Sequence, residues 1–146
     1  MSSKNDRRIS TVVAQDVTMQ CLDSLGRGHD LDTVFSYDRQ DPFAVTITFL
    51  TSEGELPWTF SRDLLVSGLA GPSGDGDVHV CPSIDDRGRA VVIIELSSPD
   101  GHLVTQVRSE DMHRFVNRST EMVPTGEESH YLDLDGAIAQ LLSTRG

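Results

Sequence analysis

Long apolar runs are missing from this chain. No stretch approaches the ~18 consecutive apolar residues that a bilayer-spanning helix requires. The opening MSSKNDRR leads into Ile9 and Thr11 without an apolar signal-peptide segment, so a cytoplasmic location is expected. Lysine is almost absent as well: of twelve basic residues only Lys4 is not arginine, a bias common in products of GC-rich genomes. Cysteine is scarce. Cys21 and Cys81 stand far apart, with no second Cys or His beside either at zinc-ligand spacing, so neither a disulfide framework nor a zinc site is suggested. Their spacing permits one bridge, but free buried thiols suit the expected compartment better.

Positive charge is the next shortage, since 12 Lys and Arg face 23 Asp and Glu, for a formal charge of −11. The imbalance concentrates between Glu121 and Asp135, where Glu121, Glu127, Glu128, Asp133 and Asp135 meet no Lys or Arg. Nucleic acids and anionic membranes are held by neutralising phosphates with basic side chains, so this balance argues against both as ligands.

Catalytic signatures are wanting too. No Ser sits in a G-x-S-x-G elbow, and Cys81, before Pro82, has no base assignable from sequence. The histidines, His29, His79, His102, His113 and His130, are scattered, with no pair four apart on one helix. Gly71-Pro72-Ser73-Gly74-Asp75-Gly76-Asp77 invites a phosphate-loop reading, but it follows a helix, precedes a strand and carries two Asp, so it reads as a linker. Asp75-Gly76-Asp77 and Asp133-Leu134-Asp135-Gly136 lack the ligand series ending in Glu of a calcium loop. No enzyme, metal or cofactor is expected.

What is present is periodicity. Ile9, Thr11, Val13, Val17, Met19 and Cys21 share one parity and predict a strand over 9–22, with Gln15 marking a bulge. Leu31, Thr33, Phe35 and Tyr37 give a second strand after a turn over 26–30. Phe43, Val45, Ile47 and Phe49 give a third, and Leu56, Trp58 and Phe60 a fourth, which Pro57 assigns to a sheet edge because proline cannot donate to a ladder. Ser61 is set to cap a helix carrying Leu64, Leu65, Gly68 and Leu69, stopped at Gly71-Pro72. The order then recurs. Val78 and Val80, Val91 to Leu96, and Leu103 to Val107 form strands; Ser109 caps a helix with Met112, Phe115 and Val116; a last helix over 133–143 uses Leu134, Ile138, Leu141 and Leu142.

Residues 37–54 laid on 84–101 match at Asp38/Asp85, Val45/Val92, Ile47/Ile94 and Gly54/Gly101, and one inserted residue later Ser61 meets Ser109. The fold class is therefore α+β: a polar tail over 1–8, then one domain over 9–146 of duplicated antiparallel sheet and helix units, with pseudo-repeats at 31–70 and 78–118, about seven strands and three helices.

Tyr37-Asp38, Asp41-Pro42-Phe43-Ala44-Val45, Trp58-Thr59-Phe60-Ser61-Arg62-Asp63-Leu64-Leu65, Pro72-Ser73-Gly74-Asp75-Gly76-Asp77-Val78 and Leu96-Ser97-Ser98-Pro99-Asp100-Gly101 together resemble the SsgA-like protein family of actinobacteria. Phe115, Arg118, Val123-Pro124 and Leu132-Asp133-Leu134-Asp135 extend the likeness over most of 35–142; Cys81 departs from it, where an aromatic is expected before the proline. The resemblance implies a whirly-like fold, a homo-oligomer, most simply a trimer, and a non-enzymatic regulator of sporulation-specific cell division. It further implies action at the division septum, with the tubulin-like FtsZ and other septum or SsgA-like proteins as partners, and membrane contact only through a partner. Trp58, Arg62, Glu127, Glu128, Asp133 and Asp135 are the candidate protein-interaction residues. The alternative is single-stranded nucleic-acid binding carried with the whirly-like fold, which needs a basic groove interleaved with stacking aromatics.

Overall fold

The computed structural model describes residues 11–132 and 141–143. Eight antiparallel strands form one sheet curled into a half-barrel: β1 (Val12–Leu22), β2 (Gly28–Asp38), β3 (Ala44–Thr51), β4 (Gly54–Ser61), β5 (Ser73–Asp75), β6 (Val78–Ile84), β7 (Ala90–Ser98) and β8 (Gly101–Arg108). Their spatial order is β4-β3-β2-β1-β8-β7-β6-β5, two four-strand meanders joined where β1 meets β8. Helix α1 (Arg62–Ala70) follows β4, and α2 (Ser109–Met122) follows β8; a 3-10 turn covers Glu128–Tyr131. Residues 141–143 are helical, while most of the expected last helix, 133–140, lies outside the described residues.

Alternation dictates which face is buried. On β1, Val13, Gln15, Val17 and Met19 point to the core between exposed neighbours, and β2, β3 and β7 contribute Phe35 and Tyr37, Val45, Ile47 and Phe49, and Val92, Ile94 and Leu96. Buried hydroxyls on this face are satisfied across strands: Thr33 donates to the Val17 carbonyl and Thr105 to that of Ile94, each at 2.8 Å. Phe35 meets Phe115 of α2 edge-on, with ring centres 5.5 Å apart. Gly68 lets α1 approach β6 so closely that a Cβ there would collide with the Val80 side chain.

Several expectations need correction. The count is eight strands, because Ser73 and Asp75 of the supposed linker pair with Val80 and Val78 as β5, and Gly76, at φ 62°, makes the tight return possible. Gln15 marks no bulge. Pairing of β1 with β2 runs unbroken from Val12↔Asp38 to Leu22↔Gly28, and the Gln15 amide is buried because it donates to the Asp111 carbonyl at 2.9 Å. The first turn lies at 23–27. Asp23-Ser24-Leu25-Gly26-Arg27 and Asp85-Asp86-Arg87-Gly88-Arg89 close the β1–β2 and β6–β7 hairpins identically: the Asp carboxylate accepts from backbone N–H groups two and four residues on and from the Arg Nε at 2.9 Å, with the glycine at φ 78° or 79°. Ser109 does not cap α2. The cap position is Arg108, whose side chain makes no capping bond, whereas Ser61 accepts from Leu64 N at 3.1 Å.

That last difference removes the inserted residue from the internal alignment. Spacing stays constant from Val45/Val92 through the tip glycines Gly54/Gly101 to the cap positions Ser61/Arg108. Pro57 does lie on an edge strand, β4. Pro82 is tolerated within β6 because β5 pairs no further along that strand than Val80.

Candidate interaction surface

Arg62 is the first residue of α1, and its guanidinium passes inward. It is 1% exposed: Nη1 donates to the Ser119 and Val123 carbonyls at 3.1 and 2.8 Å, and Nη2 to Glu128 Oε2 at 2.8 Å. The cation also lies 4.7 Å from the centre of the Tyr37 ring. The last turn of α2 has no basic residue of its own, so Arg62 supplies the positive charge that its free carbonyls favour. Glu128 is 5% exposed and accepts from Gly126 N through its other oxygen at 2.9 Å; the hydrogen bond from Arg62 holds its carboxyl below the usual range. Tyr37 donates to the Pro42 carbonyl at 2.9 Å, and burial pushes its phenol up to about 12.

Arg62 and Glu128, selected from sequence as surface anchors, are thus brought together, but with each other and inside the molecule. A buried charge needs a partner, and each supplies the other's. Glu127, beside them, is exposed; Asp133 and Asp135 lie outside the described residues. Cys21 and Cys81 are free and half-buried, so neither the bridge nor full burial applies.

Trp58 stands apart from this pair, in the middle of β4. It packs against the core from one side and lines an apolar groove of about 300 Å³ with the other. Phe49 and Leu96 form the buried floor, Leu31, Leu56 and Leu103 the walls, and Asp100 and His102 part of the rim. Phe49/Leu96, Thr51/Ser98 and Leu56/Leu103 are equivalent positions of the two meanders, so the groove lies where the β3–β4 and β7–β8 hairpin tips converge. In the sequence Phe49 and Leu96 are simply the last of the alternating apolar residues in two strands; the equivalent spacing of Leu56 and Leu103 beyond them is the sign that the two tips face one space. Leu56, 57% exposed, is an apolar side chain that folding leaves in water.

Among the described residues no helix is long and apolar enough to cross a membrane. Residues 31–128 match the family model described as Streptomyces sporulation and cell division protein, SsgA. The chain is 39% identical over 134 residues to the sporulation-specific cell division protein SsgB of Kineococcus radiotolerans, covering 91% of this chain and 81% of that one. It is 35% identical over 136 residues to SsgB of Streptomyces coelicolor, covering 92% and 98%. An SsgB structure, from work relating its mutations to longitudinal cell division during sporulation of Streptomyces coelicolor, overlays with a TM-score of 0.80 at 35% identity, covering 86% of this chain and 98% of that one. The crystal structure of an SsgA-like sporulation-specific cell division protein from Thermobifida fusca also gives 0.80, at 32% identity, covering 90% and 96%. With residues 31–128 matching the family model and 39% identity to SsgB of Kineococcus radiotolerans over 91% of its length, this chain belongs to the SsgA family of sporulation and cell division proteins.

Proposed function

We propose that this chain is a non-enzymatic protein of sporulation-specific cell division that helps to position or recruit FtsZ at septum sites through protein–protein contact. Its membership of a family whose relatives are sporulation-specific cell division proteins carries the reading. The apolar groove beside Trp58 supports it, since exposed aromatic and aliphatic anchors over a rigid sheet are what protein partners bind. Glu127, Asp133 and Asp135 are the acidic residues proposed to contact a partner, while Arg62 and Glu128 fix the chain segment that presents Glu127. A homotrimer acting on the cytoplasmic side of the septum completes the proposal, with membrane contact made by a partner.

Co-purification with FtsZ tests it. The unmodified chain is expected to retain FtsZ, and Trp58→Ala, or Glu127→Gln combined with Asp133→Asn and Asp135→Asn, to weaken that retention. Failure of the unmodified chain to associate, in extract and in cells, would sink the reading. Light scattering is expected to give three times the 16.0 kDa chain mass, and a monomer at micromolar concentration removes the trimer. Nucleic-acid binding fares worse on the surface. Asp16, Asp30 and Asp32 stand exposed on the outer sheet face, where a phosphate backbone would be repelled.

A further inference from the structure

We infer that residues 124–132 form a detachable strap, latched to the body of the fold by Glu128 and able to open while the sheet and both helices stay folded. The inference stands apart from the FtsZ reading, since it concerns how this segment is held and not what it meets. Burial is the first ground for it. Val123 closes α2, and of residues 124–132 beyond it Glu128 alone is buried; Leu132 is half-buried and the others are exposed. A stretch that withdraws so little apolar surface from water opens at low cost. Its hydrogen bonds are local as well. Glu127 N donates to the Pro124 carbonyl and His130 N to that of Glu127, each at 3.0 Å, Leu132 N to that of Ser129 at 3.4 Å, and Gly126 N to Glu128 Oε1 at 2.9 Å. Short turns of this kind do not persist in water without support from the rest of the fold. Among the described residues, the one hydrogen bond from the segment to the rest of the chain is the bond that Glu128 Oε2 accepts from Arg62 Nη2.

The latch uses half of what the two groups can make. Nε and Nη2 of a guanidinium point the same way and can grip both oxygens of one carboxylate. Here Glu128 gives one oxygen to Nη2 and turns the other back to Gly126, while Arg62 Nε, buried, has no acceptor among the described residues. The receptor, by contrast, does not depend on the strap. Nη1 is held by the Ser119 and Val123 carbonyls at the end of α2, and the cation lies over Tyr37. When Glu128 leaves, Arg62 stays in place, and water reaches Nε and Nη2, which offsets part of the cost of opening. In Glu128→Ala the balance reverses. A closed strap would then bury Arg62 with no counter-charge, so the segment is released.

Native-state hydrogen exchange on the full chain at constant pH tests the strap. The amides of Glu127 and His130 report on it, because their acceptors are backbone carbonyls that a change at residue 128 leaves in place. In the unmodified chain, Gly126, Glu127 and His130 are expected to share one protection, at least about tenfold below that of the slowest amides of β1 and β2, and to ignore low urea, since local opening exposes little surface. In Glu128→Ala, Glu127 and His130 are expected to exchange as fast as in an unstructured peptide, while β1 and β2 remain protected. Retained protection of Glu127 and His130 in that variant overturns the inference. So does a spread of unequal protections across the three amides in the unmodified chain, which would mean piecemeal fraying, or exchange that follows the slowest sheet amides in rate and urea dependence, which would mean that the segment leaves only on global unfolding. The measurements on the unmodified chain decide the matter by themselves if Glu128→Ala does not fold.

Discussion

Arg62 Nη2 lies 2.8 Å from Glu128 Oε2, an ion pair that ties the start of α1 to the segment leaving α2 and is closed to solvent on both sides. Because Nη1 also reaches the Ser119 and Val123 carbonyls, the one guanidinium ends α2, anchors the following turn and stacks on Tyr37. Removing Glu128 leaves that cation buried and uncompensated. Glu128→Ala is expected to cost about 3–5 kcal/mol of unfolding free energy, measured by urea denaturation at neutral pH.

The same pair sets an acid dependence. The Glu128 carboxyl is held below its ordinary value in the fold, chiefly by the Arg62 hydrogen bond, so its contribution is present above the unfolded carboxylate range and is lost as pH falls through the depressed value. Urea midpoints taken from pH 7 downward should therefore fall less steeply in Glu128→Gln than in the unmodified chain. Parallel curves would assign the acid loss to other carboxylates.

Gly68 separates two opposed effects. Alanine in a helix interior normally gains about 1 kcal/mol over glycine. Here the new methyl would meet Val80, and overpacking of this kind costs about 1–3 kcal/mol, so Gly68→Ala is expected to be destabilising. Combining it with Val80→Ala should cost less than the two changes summed, which thermal or urea unfolding of the double-mutant cycle will show.

The two helix starts should respond differently. Ser61→Ala removes a side-chain bond to Leu64 N and should lose about 1 kcal/mol. Ser109→Ala, one position inside its helix, should stay within about 0.5 kcal/mol of the unmodified chain in the same unfolding assay.

Tyr37 governs the alkaline limb. Its phenol, raised to about 12 by burial, retains its proton in the fold at pH values where an unfolded tyrosine, near 10, has lost it. Stability contributed by this group is complete below about pH 10 and is lost as pH rises toward 12. Absorbance titration should show one phenol ionising only together with unfolding, and Tyr37→Phe should flatten that limb.

Periodicity made most of the sheet legible, because one face of each strand is buried and a half-buried strand must alternate. Val45, Ile47 and Phe49, and Pro57 at the edge, were readable on those grounds. Two kinds of feature were not. β5 is three residues long, too short for any alternation to appear; Gly74 within it leaves room for the His79 ring across the hairpin, and the two-residue turn Gly76-Asp77 follows at once, so the whole segment has the composition of a loop. The polar interior was hidden for a different reason: Arg62, Glu128 and Gln15 look like surface residues until the folded chain brings carbonyls and charges around them, contacts that reach as far as 96 positions along the sequence. The repeated Asp-x-x-Gly-Arg turn, by contrast, was in plain view and needed only the recognition that one carboxylate can organise a whole hairpin end.

Only Gln20, Cys21 and Leu22 of β1 pair with β8; beyond them the strands part, and α2 takes up the space through Gln15 and the Arg118 bond to the Ala14 carbonyl. The two meanders therefore share a seam of three residue pairs, against the eleven that join β1 to β2, and the continuity of the half-barrel depends on helix α2 bridging the rest of that seam. A molecule seated between the hairpin tips would touch both meanders at once, at the places their shared pattern makes equivalent.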